Sequence, residues 1–214
     1  MASKIELYEK SSQEFKPFKH FTSRIQVMKK ESNYGGEVAS KWTDILNQFL
    51  ANKTYPVVHP IGKETFSLYA VFPTGIFEYA LDIDKATTLI KEKNIKPIKV
   101  SPSNIIEAVD QGNINKDLNR IKPNHKNPVM VLQSCYLTNN KPYCINGNHR
   151  IFEAYQNKDK QIEIYVFKDL DFVPFFYDVL SKATYFLEID YYNVVKDKRY
   201  LLHGENSMFA NEFE

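Results

Sequence analysis

Arginine is scarce in this 214-residue chain, occurring only at positions 24, 120, 150 and 199. Lysine therefore carries almost all the positive charge, and an arginine beside a glycine turn draws notice. Charge excess is lacking too. A formal net charge of +2 argues against a strongly basic nucleic-acid binder, while leaving room for a local basic patch. Cysteine occurs only twice, too few for a disulfide scaffold. The opening Met-Ala-Ser-Lys-Ile-Glu-Leu-Tyr-Glu-Lys carries charge from the start and holds no apolar signal core. These features together imply a cytoplasmic protein in a reducing compartment. No apolar run approaches the roughly eighteen residues of a membrane span, so no membrane partner is expected. The five histidines are scattered, none with a second histidine or cysteine at ligand spacing, so no metal site is expected.

What is present suffices for a folded chain. A hydrophobic fraction of 43% and an aromatic fraction of 14% supply a sizeable core, as one large domain or a core domain with additions. Residues 1–34 carry no clear period. After Gly35-Gly36, Trp42, Ile45, Leu46, Phe49 and Leu50 fall on one face of a helix and read as core. Residues 55–80 alternate proline and glycine with aromatic and β-branched residues, which predicts short strands and turns. Ile83, Ala86, Leu89 and Ile90 predict a helix over 82–94.

From Ile95 the pattern is more regular. Ile98 and Val100 predict a short strand. Ser101-Pro102 then starts a helix with Ile105, Ile106 and Val109 on its apolar face, ending near Gly112. Val129-Met130-Val131-Leu132 reads as a buried strand. Asn139-Asn140 turns it back, because asparagine tolerates left-handed backbone angles. That turn centre sets Leu137 opposite Pro142, Tyr136 opposite Tyr143 and Cys135 opposite Cys144. In a reducing compartment the cysteines are expected as free thiols rather than a cross-strand disulfide. Ile151, Ala154 and Tyr155 form one face of a short helix, and Ile162, Ile164 and Val166 alternate as a strand. A last helix follows Asp169 or Asp171, with Phe172, Phe176, Val179, Leu180 and Ala183 on one face and Pro174 in its first turn. Tyr185-Phe186 and Tyr191-Tyr192 are expected to pack this helix rather than stack on bases. From Asp197 the tail is polar and expected to be loosely held.

The chemistry concentrates at Ile145-Asn146-Gly147-Asn148-His149-Arg150. A strand ends, a glycine turns the chain and a helix begins, so unpaired N–H groups and the positive helix end meet. Gly147 admits an anion close to the backbone. His149 and Arg150 add donors, Arg150 in a fork that suits phosphate. Glu153, one turn on, would orient Arg150 or act as an acid/base or metal carboxylate. The plainer alternative is a helix capped by Asn146 or Asn148, with Arg150 and Glu153 paired at i, i+3.

The stretch from Lys96-Pro97-Ile98-Lys99-Val100 through Ile145-Asn-Gly-Asn-His-Arg-Ile-Phe-Glu-Ala to Ile164-Tyr-Val resembles the ParB/sulfiredoxin superfamily. It covers about a third of the chain. That superfamily includes chromosome-partition proteins that bind and hydrolyse CTP, sulfiredoxin, free-serine kinases using ADP or ATP, and ParB-like nucleases. The resemblance implies an α+β class. A small mixed sheet with packed helices would occupy 95–167, a helical and mixed region 1–94, and a C-terminal helix and tail, packed on that module, 168–214. It further implies nucleotide-phosphate contacts by Gly147, Asn148, His149 and Arg150, with ATP or CTP as cofactor alongside Mg²⁺. Sulfiredoxin carries a cysteine where Asn148 stands, and an amide cannot replace a thiolate, so that reaction is excluded. The partition proteins' glycine-glutamate-arginine-arginine turn and helix-turn-helix domain are not visible.

A phosphotransferase or hydrolase needs an acid/base and a carboxylate for Mg²⁺. Glu153, Glu107 and His149 are the catalytic candidates, with Asp110 at i+3 from Glu107. Asp117, Asn119 and Arg120 fall where relatives contribute phosphate contacts. The alternatives are a ParB-like nuclease or DNA-binding protein, with DNA as partner, and a non-catalytic regulatory protein retaining the fold.

Overall fold

The computed structural model describes residues 15–110, 128–196 and 208–213. It is mixed α+β, as expected. By internal contacts the chain forms two compact units: 1–60 with 67–81 and 176–214, and 61–66 with 82–175.

The first unit is mainly helical. Helix α1 (Pro17–Glu31) occupies part of the region without a sequence period, and begins with proline where a missing N–H does no harm. Helix α2 (Asn33–Ile45) starts before the glycine pair rather than after it, because Ser32 Oγ accepts the Gly35 N–H at 3.0 Å. Gly35 lies where α1, α2 and the last helix converge. A Cβ there would collide with the Met28 carbonyl oxygen and stand 2.9 Å from Val194 Cγ1. Trp42, Ile45, Leu46 and Leu50 are core as expected, but Leu46–Leu50 winds as a π-helical turn. The wider turn carries Phe49 off the stripe to 47% exposure.

Strands β1 (Thr65–Phe72) and β2 (Gly75–Asp82) form a two-stranded sheet joined at Pro73-Thr74. The last helix departs from expectation. Asp169–Phe175 is a separate 3₁₀ segment with Pro174 inside it, and α6 (Val179–Val195) begins only after Asp178 caps the Ser181 N–H at 2.8 Å. Phe176 instead bridges Leu81 in the first unit. Helix α6 packs on α1 and α2 and so groups with the N-terminal helices in the first unit. The tail is not loose where it is described: Phe209, Ala210 and Phe213 are buried in a closing 3₁₀ turn (Phe209–Glu212).

Buried charge ties this unit together. The Glu188 carboxylate, fully buried, accepts from Arg24 Nε at 2.6 Å and Nη2 at 3.0 Å, and lies 2.9 Å from His20 Nε2. His20 Nδ1 is 2.8 Å from Thr74 Oγ1, and the Arg24 guanidinium sits 4.0 Å from the Tyr191 ring centre.

The second unit holds the sheet. Helix α3 (Ile83–Glu92) is capped by Asp82, which accepts the Lys85 N–H at 2.8 Å. Strands β3 (Ile98–Val100), β4 (Met130–Gln133), β5 (Tyr143–Asn146) and β6 (Ile162–Lys168) lie in the order β3-β6-β4-β5. Strand β6 is antiparallel to β3 and parallel to β4, while β4 and β5 are antiparallel. The continuous apolar run of β4 is therefore central and fully buried. The helix after Ser101 is shorter than expected. Helix α4 (Pro102–Ile105) becomes a 3₁₀ turn (Ile106–Ala108), and Val109 is extended.

The β4–β5 connection bends at Asn139 and Asn140, with φ of 51° and 61°, as the sequence predicts. Its register differs. Val131 opposes Cys144 and Leu132 opposes Tyr143, and the ladder to β5 stops at Leu132. Ser134 is the reason: its Oγ accepts from the Tyr136 and Leu137 N–H groups, and its carbonyl from those of Thr138 and Asn140. Local side-chain bonds thus displace the longer ladder. Cys135 and Cys144 are both free, as expected.

Candidate functional site

Strand β5 runs into Gly147, which adopts φ 97° and leads into helix α5 (Asn148–Gln156). No side chain caps this helix. The strand end is fixed by Asn146, buried, whose Nδ2 donates to the Pro128 carbonyl at 2.9 Å. Its first intrahelical bond runs from the Ile151 N–H to the Gly147 carbonyl at 3.1 Å. The strand–glycine–helix junction expected from the sequence is present.

Arg150 folds back over the turn. A Cβ built on Gly147 would lie 2.9 Å from Arg150 Nη2 and 2.9 Å from Val129 Cγ2. Only glycine fits, on both backbone angle and space. Arg150 Nη2 is buried and has no hydrogen-bond partner among the described residues. Burial lowers the proton affinity of this guanidinium, partly offset by the Cys144 thiol and the Glu64 carboxylate, although an arginine stays charged. A buried charged donor without an acceptor is expensive unless something outside the chain satisfies it.

Asn148 joins the segment after α4 to the start of α5. It is buried, and its Oδ1 accepts the Asp110 N–H at 3.0 Å. Asp110 Oδ2 in turn accepts from the Tyr143 hydroxyl at 2.8 Å. Burial, reinforced by that bond to Asp110, pushes the Tyr143 phenol well above its ordinary range. Asn148 therefore pins the segment after α4 beside β5. Cys144 is buried between, donates to the Asn146 carbonyl at 3.2 Å, and has its thiol pushed up to about 12 by burial.

The remaining predicted residues are less concentrated. His149 is half-buried in the first turn of α5. Glu153 is exposed on the next turn, and among the described residues no ion pair joins it to Arg150, whose guanidinium points the other way. Glu107 is exposed on the 3₁₀ turn. It shares no helix face with Asp110, because the helix ends before the two come into register. Asp117, Asn119 and Arg120 lie outside the described residues, as do His125 and His203. Among the described residues no group of three or more histidine, cysteine, aspartate or glutamate side chains is placed to hold a metal ion.

Sequence reading missed Glu64, Tyr143 and Val129 as site neighbours. Tyr143 was legible only as a strand residue, and Glu64 comes from a distant segment with no motif of its own. The chain matches no protein-family model, no curated protein and no solved structure.

Proposed function

We propose that this protein binds nucleotide phosphate at Gly147–Arg150. In this reading it is a nucleotide-dependent phosphotransferase or hydrolase of the ParB/sulfiredoxin-like class, using ATP or CTP. The observation that carries it is the buried, unpartnered Arg150 Nη2 held over a left-handed glycine at an uncapped helix N-terminus. A phosphate oxygen supplies the acceptor that this nitrogen lacks. The free N–H groups of α5 supply further donors, and the absent Cβ at Gly147 leaves the approach open. A bound nucleotide brings the transferable phosphoryl group. The chain's own contribution is to grip and orient it, with His149 and Glu153 on the same helix available for proton transfer.

The test is a calorimetric titration of ATP, ADP, CTP and short duplex DNA against wild type and Arg150→Ala. Nucleotide binding that weakens about ten-fold or more in Arg150→Ala supports the proposal, since a charge-assisted bond contributes roughly 1.5–3 kcal/mol. DNA binding with a steep salt dependence instead points to the nuclease or DNA-binding reading. Binding of neither points to a regulatory protein that keeps the fold.

A further inference from the structure

The first unit buries another carboxylate on α6, which, unlike Glu188, has no cation beside it among the described residues. Asp190 is 1% exposed. Its Oδ2 accepts from Trp42 Nε1 at 2.7 Å and the Ala210 N–H at 3.0 Å, and its Oδ1 from the Phe209 N–H at 2.8 Å. Two of these three donors belong to the closing turn, whose Phe209 packs on Phe186 and whose Phe213 packs on Trp42.

The charged groups on each neighbouring element are otherwise engaged or turned outward. On α1, His20 and Arg24 serve Glu188. On α2, Lys41 and Asp44 flank Trp42 but are exposed. On α6 itself, Lys182 lies over the Phe186 and Phe213 rings. On the closing turn, Glu212 is exposed.

We propose that the turn Met208–Phe213 is a proton-linked strap, seated through Asp190 more firmly in mild acid than at neutral pH. The seated strap is what completes the burial of a carboxylate that no cation among the described residues compensates. Desolvation opposes its charge more strongly than the three N–H donors favour it, so its pKa rises from the ordinary 3.8 to about 6. With the strap lifted, water reaches the carboxylate and that penalty goes. The seated state therefore takes up a proton at a higher pH than the lifted state. Its advantage is complete below the ordinary value and is lost as pH rises through about 6. Between pH 5 and pH 7.5 the seating equilibrium changes about ten-fold.

Trp42 is the single tryptophan and touches both the carboxylate and the strap, so its emission reports the event. In wild type, emission should titrate with a midpoint near pH 6, as Asp190 does. Amide-exchange protection at Phe209 and Ala210, corrected for intrinsic rates, should be about ten-fold greater at pH 5 than at pH 7.5. In Asp190→Asn both effects should vanish. Ala210→Pro retains the carboxylate but removes one N–H donor, so it should move the midpoint upward, and it serves if Asp190→Asn does not fold. Wild-type emission that stays flat over this range, or protection that falls in acid, overturns the proposal.

Discussion

At the scale of single residues, Asn148 shows how one side chain can read two ways. In the sequence it stands in the tetrapeptide proposed to bind phosphate, and its carbonyl oxygen accepts the Asp110 N–H. Asn148→Ala should therefore destabilise the sheet unit by about 1–3 kcal/mol, since it strands a donor beside a buried site. The loss should be visible as a lower urea midpoint. Nucleotide affinity should change less than in Arg150→Ala. Equal losses of affinity in the two variants would show that Asn148 itself touches the ligand. The same register that buries Cys144 silences it. With its thiol pushed up to about 12, Cys144 should resist alkylation by iodoacetamide at pH 8, while half-buried Cys135 is modified first; mass spectrometry of the folded protein distinguishes the sites.

At the scale of elements, the sequence signals that worked were local. Pro102 starts α4, because its fixed backbone angle acts within one turn of the backbone it governs. Asn139 and Asn140 turn the hairpin for the same reason. Extents were harder to read. The β4 ladder ends early because Ser134 and Thr138 satisfy backbone groups that the longer pairing would have used. The segment after Asp169 divides in two because Pro174 cannot donate and Asp178 offers a better start. The turn supports a direct test at exposed Asn139, which has φ 51°. Asn139→Gly should be about 1 kcal/mol more stable than Asn139→Ala, because alanine is penalised in the left-handed region. Equal thermal midpoints for the two variants would contradict that backbone conformation.

At the scale of the whole molecule, the buried charges matter most. Glu188 gathers Arg24 and His20 from α1, and His20 reaches Thr74 at the hairpin turn, so three parts of the first unit meet on one carboxylate. Glu188→Ala removes the buried carboxylate on which Arg24 and His20 converge and should cost about 3–5 kcal/mol, measured by chemical denaturation followed at Trp42. None of this was legible beforehand. His20, Arg24, Glu188 and Asp190 look like surface residues in a helix pattern, since their partners come from other elements. The amino-acid sequence by itself determined the α+β class, the buried β4 strand, the proline start of α4 and the glycine junction at 147, because each depends on forces acting within a few residues. Tertiary structure alone decided that α6 joins the N-terminal helices, that Asn148 faces Asp110, and that Arg150 folds over Gly147 with no acceptor for Nη2 among the described residues. Those outcomes depend on which distant groups share a desolvated space, and a linear pattern of residues does not encode that distance.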